Sequence, residues 1–262
     1  MSALLHTLLL DPRDEAAARA GPILGAANIP ATELTSRAFE LPPRNIEIAI
    51  ADVGDDARRA ASTLAPMHRR CRVTRDFEYA ASEGACRYRL WRPAAWLETC
   101  VNGLTPGRAL DLACGSGRES AYLAALGWDV LGVDVLPDAL DQARALASRY
   151  VPAGRVRLER RDLEAEPLAF DERFDLMIGF RYLHRALFPL LPNWLTPTGR
   201  VIYETFTTLH RERHGKPSRD AYLLQPGELR TLLSTWQIER YEEGWINDAH
   251  TARVMARRVV AS

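Results

Sequence analysis

The chain has 262 residues, 47% of them hydrophobic and 26% charged, which excludes a disordered, collagenous or coiled-coil protein and fits one catalytic-sized domain plus an appendage. Its 34 basic residues balance 34 acidic ones, so no basic face recommends nucleic acid or a membrane as a partner. The four cysteines, Cys71, Cys86, Cys100 and Cys114, make no C-x-x-C pair and no His-x-x-x-His follows them, so no metal site is expected.

In chain order, Leu8 to Leu10 is a short apolar run that stops at Asp11-Pro12 and predicts a buried strand. It falls far short of the roughly 20 residues of a membrane span and lacks a basic leader, so the expected compartment is the cytoplasm. Asp14 to Ala20 predicts a helix broken at Gly21-Pro22, Ile46 to Ala51 a second buried strand, and Asp56 to Leu64 a helix after Gly54. Together these make an α/β unit too small for a complete doubly wound domain. The charged stretch from His68 to Arg75 suggests a linker, giving domains at 1–75 and 85–262.

Leu10-Asp11-Pro12-Arg13, Ile23 to Pro30 and the strand Ile46–Ala51 resemble a rhodanese-like domain. That family carries sulfur on a cysteine opening the loop after this strand. Here the position is Asp52, and a carboxylate cannot replace a thiolate, so the resemblance implies a degenerate, structural or regulatory unit.

The second segment alternates strand and helix. Arg108 to Leu112 is an apolar strand holding Asp111, followed by Ala113-Cys114-Gly115-Ser116-Gly117 and a helix from Arg118 to Leu126. The next strand, Val130 to Val133, ends at Asp134, whose carboxylate can accept both hydroxyls of a ribose. A third strand, Arg155 to Arg160, leads to Asp162 and Leu163, where the carboxylate either caps a turn or takes an adenine amino group while the leucine packs beside the ring. Asp111 decides between cofactors. A dinucleotide would place its pyrophosphate beside that carboxylate, at a cost on the order of kcal/mol even at an effective dielectric near 20, whereas an ammonium would be attracted. Gln237 to Glu242 and Ala252 to Arg258 are strand-like, with a link short enough only for an antiparallel hairpin.

Ala109-Leu110-Asp111-Leu112-Ala113-Cys114-Gly115-Ser116-Gly117, with Asp134, Asp162 and the strand Phe174 to Ile178, resembles the class I S-adenosylmethionine-dependent methyltransferases. The nearest likeness is to the tellurite-resistance type, through Leu90-Trp91-Arg92-Pro93, Tyr203-Glu204-Thr205-Phe206 and Leu223 to Leu229. The resemblance implies a Rossmann-like, mostly parallel sheet ending in the hairpin, with S-adenosyl-L-methionine as cofactor. Candidate cofactor-binding residues are Asp111, Ala113, Cys114, Gly115, Gly117, Asp134, Val135, Asp162, Leu163 and Phe180.

Candidate catalytic residues follow the fourth strand: Arg181, His184 and Arg185, to hold an anionic acceptor or to move a proton, the alternative being a solvated face or a structural histidine. His210, Arg211, Arg213 and His214 form a second patch, either a lid or polar surface, and Tyr182 and Tyr203 line either the acceptor pocket or the core. Cys114 is expected to pack under the cofactor rather than act as a nucleophile. No Asn/Asp-Pro-Pro-Tyr/Phe quartet follows the fourth strand, which disfavours exocyclic amines of bases as acceptors. The expected partner is a small-molecule methyl acceptor, a thiol or a chalcogen oxyanion such as tellurite. A cofactor-sensing module without catalysis and an NAD-dependent oxidoreductase are the alternatives.

Overall fold

The computed structural model describes residues 4–80, 87–165 and 169–259. Cys86 lies outside them. The chain divides into two compact units, Met1–Arg92 and Pro93–Ser262.

In the first unit, β1 (Leu4–His6) pairs in parallel with a strand far along the chain, while β2 (Leu9–Asp11) leads to α1 (Glu15–Ala20). Asp14 starts that helix by accepting the Ala17 N–H at 2.8 Å. Next come β3 (Ala27–Asn28), β4 (Ile48–Ala51), α2 (Asp55–Leu64), β5 (Cys71–Thr74) and β6 (Arg87–Arg89), the partner of β1. A four-stranded parallel sheet has the order β3-β2-β4-β5. Its apolar residues, including Leu10, Ile29, Leu34, Ile48, Ile50 and Leu64, form one buried cluster.

Two expectations from sequence are corrected here. Residues 68–75 are not simply a linker, because Cys71–Thr74 hydrogen-bonds along β4 in register Ile48↔Cys71. The boundaries at 75 and 85 also move: Arg87–Arg89 completes the first unit through β1, so the division falls at Arg92/Pro93.

The second unit opens with α3 (Ala95–Val101) and then alternates through β7 (Arg108–Leu112), α4 (Arg118–Ala125), β8 (Asp129–Asp134), α5 (Pro137–Tyr150), β9 (Val156–Arg160) and β10 (Phe174–Phe180). It closes with α6 (Leu191–Trp194), β11 (Leu195–Phe206), α7 (Thr208–His214), α8 (Glu228–Leu232), β12 (Gln237–Ile246) and β13 (Ala249–Arg257). The sheet order is β12-β13-β11-β10-β7-β8-β9, with β7 to β11 mutually parallel and β12 and β13 antiparallel. This is the Rossmann-like sheet with a terminal hairpin that the sequence implied. The hairpin is longer than expected. Gly244 lies inside β12, and the turn is only Asn247-Asp248, both at positive φ as a two-residue hairpin turn requires.

The chain runs from β7 outward through β8 to β9, then returns to place β10 on the other side of β7. That reversal leaves a crevice at the carboxyl ends of β7 and β10, where open α/β sheets bind ligands. No described helix is long and apolar enough to cross a membrane.

Gly117 begins α4 at φ 73°, and a Cβ there would sit 2.7 Å from the Ala143 Cβ of α5. Gly117→Ala therefore combines a left-handed alanine with an overlap between two helices, and is expected to destabilise the fold by about 3 kcal/mol, read as a lowered urea midpoint at unchanged slope.

Candidate active site

The crevice begins with the loop between β7 and α4. Cys114 N–H donates to Val133 O at 3.0 Å, tying the loop to β8, and its side chain is buried against Gly132, whose missing Cβ would lie 3.1 Å from the Cys114 sulfur. Burial pushes the Cys114 thiol up, which favours the protonated form. Ala113 and Gly115 both take φ of 54°, and the space where a Gly115 Cβ would stand is open. The loop therefore presents bare backbone to the crevice.

Asp134, at the end of β8, holds that backbone in place. Its Oδ2 accepts the Gly115 N–H at 2.8 Å and its Oδ1 the Leu136 N–H at 2.9 Å. Each carboxylate oxygen keeps a second lone pair for a ligand hydroxyl. Val135 beside it is 44% exposed, an apolar surface at the mouth of the crevice.

Asp111 is 2% exposed, and among the described residues the side chain that hydrogen-bonds it is Ser120, whose hydroxyl donates to Oδ2 at 2.6 Å. Burial, with Glu119 and Asp134 nearby, drives its affinity for a proton well above the ordinary carboxylate range. Glu119 is itself engaged, accepting the Ala94 N–H at 3.0 Å.

Asp162 is exposed after β9, where its Oδ1 accepts the Glu164 N–H at 2.9 Å, and Leu163 is buried beside it. The turn-capping reading of Asp162 thus holds, and its second oxygen remains available. Tyr182 connects the two acidic tips. Its hydroxyl is buried without a hydrogen-bond partner among the described residues, and burial together with Glu164, Asp162 and Asp134 raises its affinity for its proton. Asp134 and Asp162 therefore converge near one donor that no group among the described residues satisfies. Phe180, half-buried at the end of β10, completes this side.

The three residues expected to act on the acceptor separate. Arg181 is exposed at the end of β10 at φ 57°, and its guanidinium has no hydrogen bond or ion pair among the described residues. His184 is half-buried on a cleft of about 390 Å³ whose walls include Glu164, Arg219 and Tyr222. Arg185, the third expected catalytic residue, is engaged by protein groups. Its Nε meets Glu228 Oε1 at 2.5 Å, and its terminal nitrogens bind Glu228 Oε2 and the carbonyls of Ala221 and Leu223 at 2.8–3.0 Å. With its donors spent on the 221–228 segment, it clamps the cleft wall.

The second patch is also mostly committed. His210 stacks on Phe206 at 4.2 Å between ring centres and lies 4.6 Å from His214, while Arg213 covers Trp245 and Arg211 pairs with Asp220. Trp245 and His250 of the hairpin, which the sequence did not single out, extend this stack. Tyr203 is core, its hydroxyl donating to Tyr182 O at 2.5 Å.

The sequence reading also missed Glu204. Asp111 pairs with Ile178 across the sheet, and Phe180, two residues on, pairs with Glu204, so Asp111 and Glu204 share one face. The signal was present: an acidic residue closes the apolar run Val201-Ile202-Tyr203, a fourth acidic strand end.

Residues 109–201 match a family model described as a methyltransferase domain. An uncharacterized protein of Mycobacterium tuberculosis is 28% identical over 217 residues, covering 78% of this chain and 73% of that protein. The ribosomal protein L11 methyltransferase of Thermus thermophilus is 39% identical over 109 residues, or 40% of this chain and 41% of that enzyme. The crystal structure of TehB from Haemophilus influenzae superposes with a TM-score of 0.50 at 17% identity, covering 62% of this chain and 61% of that one, a likeness of fold.

Two outcomes follow from this geometry. A carboxylate whose proton affinity is raised by folding destabilises the native state above its unfolded pKa, about 3.9 for aspartate. Asp111→Asn keeps an acceptor for Ser120 and should raise Tm at pH 7–8 by about 2–4 °C, on the order of 1 kcal/mol, with the gain vanishing below about pH 4. Arg185→Met, by contrast, should destabilise the fold by about 1 kcal/mol for so exposed an ion pair, read as a Tm lower by about 2–4 °C, and leave cofactor affinity within threefold in calorimetry.

Proposed function

We propose that the protein is an S-adenosylmethionine-dependent methyltransferase acting on a small acceptor that carries negative charge. The observation that carries this reading is the pair of buried carboxylates, Asp111 and Asp134, on either side of an open glycine loop at the sheet's switch point. When bound, S-adenosylmethionine supplies a methyl group activated on a sulfonium. Asp111, flanked by Glu119, favours the cationic methionyl end and opposes a pyrophosphate, which argues against a dinucleotide. Asp134 takes the ribose hydroxyls on its free lone pairs, Asp162 and Tyr182 meet the adenosyl polar atoms, and Val135 and Leu163 cover the ring.

Methyl transfer from a sulfonium needs alignment and exclusion of water more than it needs activation of a leaving group. Arg181 suits an anionic acceptor, because it is the site's cation without a partner among the described residues. Thiolates, chalcogen oxyanions such as tellurite and carboxylates all meet that requirement. The balanced net charge of the chain favours a small molecule over nucleic acid.

The first unit is a degenerate rhodanese-like domain on this reading. Support comes from its parallel order β3-β2-β4-β5 and from Asp52, which follows β4, precedes the turn into α2 and pairs with Arg75 at 2.8 Å. Such a unit transfers no sulfur.

Calorimetry should show S-adenosylmethionine and S-adenosylhomocysteine binding and NAD not binding. Asp134→Ala, with its fold checked by circular dichroism, should weaken the donor at least tenfold, about 1.4 kcal/mol. An unchanged dissociation constant would count against the assignment.

A further inference from the structure

Arg181 and Glu204 stand side by side at the end of the site where an acceptor would approach. The Arg181 N–H donates to Glu204 O at 2.8 Å, and Glu204 is the cross-strand neighbour of Phe180. Their side chains carry opposite charges and feel each other, yet they form no ion pair. Among the described residues the guanidinium has no partner and no hydrogen bond reaches the Glu204 carboxylate. Only 21% of that side chain is exposed, and the nearest ion-pair contact, Arg253 Nη1, is 3.9 Å away. A mostly buried carboxylate without hydrogen bonds is costly, and such groups concentrate where a ligand supplies the missing contact.

We infer that the methyl acceptor is a small carboxylate-bearing molecule whose nucleophilic oxygen or nitrogen carries a proton, its carboxylate held by Arg181 and its proton taken by Glu204. This narrows the methyltransferase reading and rests on it. Burial raises the proton affinity of Glu204 against the opposing pull of Arg253 and Arg181, with Glu119 and Glu242 adding to it, as suits a group that must receive a proton. A thiolate or tellurite would need no such base. In the transfer, the acceptor's lone pair forms the bond to the methyl carbon and the sulfur–carbon pair remains on sulfur. The acceptor's proton passes to Glu204 and then to water, so the positive charge lost from the sulfonium leaves as that proton.

The test measures S-adenosylhomocysteine release with 4-hydroxybenzoate and glycine as probes, set against phenol, 2-mercaptoethanol and tellurite. At least one of the two carboxylate probes should be turned over faster than all three comparison compounds. Glu204→Gln should lower kcat at least 100-fold with KM within threefold. Arg181→Gln should raise KM at least tenfold with kcat within threefold, and should weaken calorimetric binding of the same probe to the S-adenosylhomocysteine complex by a similar factor. Faster turnover of phenol, thiol or tellurite, full activity in Glu204→Gln, or no turnover of either carboxylate probe overturns the inference. Both variants should bind S-adenosylmethionine like the wild type. Failure of the wild type to bind it would instead sink the methyltransferase reading itself.

Discussion

Negative charge gathered at one edge of the sheet and left uncompensated by the protein is the constraint on which the site depends. Asp111 is desolvated with one serine hydroxyl for company among the described residues, and Glu119 and Asp134 add to the same field. An interior ordinarily neutralises such groups with arginine, and this chain has arginine in abundance. Elsewhere it does so: Arg37 is bonded to Glu40 at 2.7 Å deep in the first unit, and Arg185 to Glu228 on the cleft wall. The exception at the crevice is what a cationic donor requires, because its binding returns the desolvation energy that folding stored there.

The fold makes this affordable by placing the carboxylates on rigid strands. Asp111 and Asp134 share a face because β7 and β8 are in register Asp111↔Gly132, and Asp134 stands two residues beyond Gly132. The loop between them is held by backbone bonds to β8 and to the Asp134 side chain, so the ligand meets a surface already shaped. Preorganisation of this kind lowers the entropy lost on binding and fixes the direction from which a methyl group can leave.

Much of this was legible in the sequence, because period and punctuation are local. Short apolar runs ending in aspartate, spaced by helical segments, gave the parallel order and the three acidic tips. What the sequence hid depended on distant partners. The strand Arg87–Arg89 looks like the preamble of the second domain until its pairing with Leu4–His6 is seen, and Cys71–Thr74 looks like a charged linker because arginines surround it in sequence, while its pairing with β4 and the packing of Cys71 against the core are visible only in the fold. Arg185 was indistinguishable from Arg181 by position alone. Their fates differ because Glu228 lies 43 residues further on and takes one of them.

The antiparallel hairpin carries the last step, since it leaves Glu204 with a long ion-pair contact and no hydrogen bond among the described residues. Arg253 of β13 is directly opposite Glu204 and is the natural partner for it. Instead its guanidinium lies over the Trp96 ring at 4.6 Å and bonds to Glu242 of β12 at 2.5 Å, which leaves Glu204 Oε2 3.9 Å away, beyond a hydrogen bond. Glu242 thus competes for the cation that would otherwise quench Glu204, and Trp96 is anchored to the same strand through the Val254 carbonyl at 3.1 Å. A strand pair added to the edge of a parallel sheet therefore tunes a carboxylate on the strand it joins, by occupying the arginine that a simple ion pair would have used.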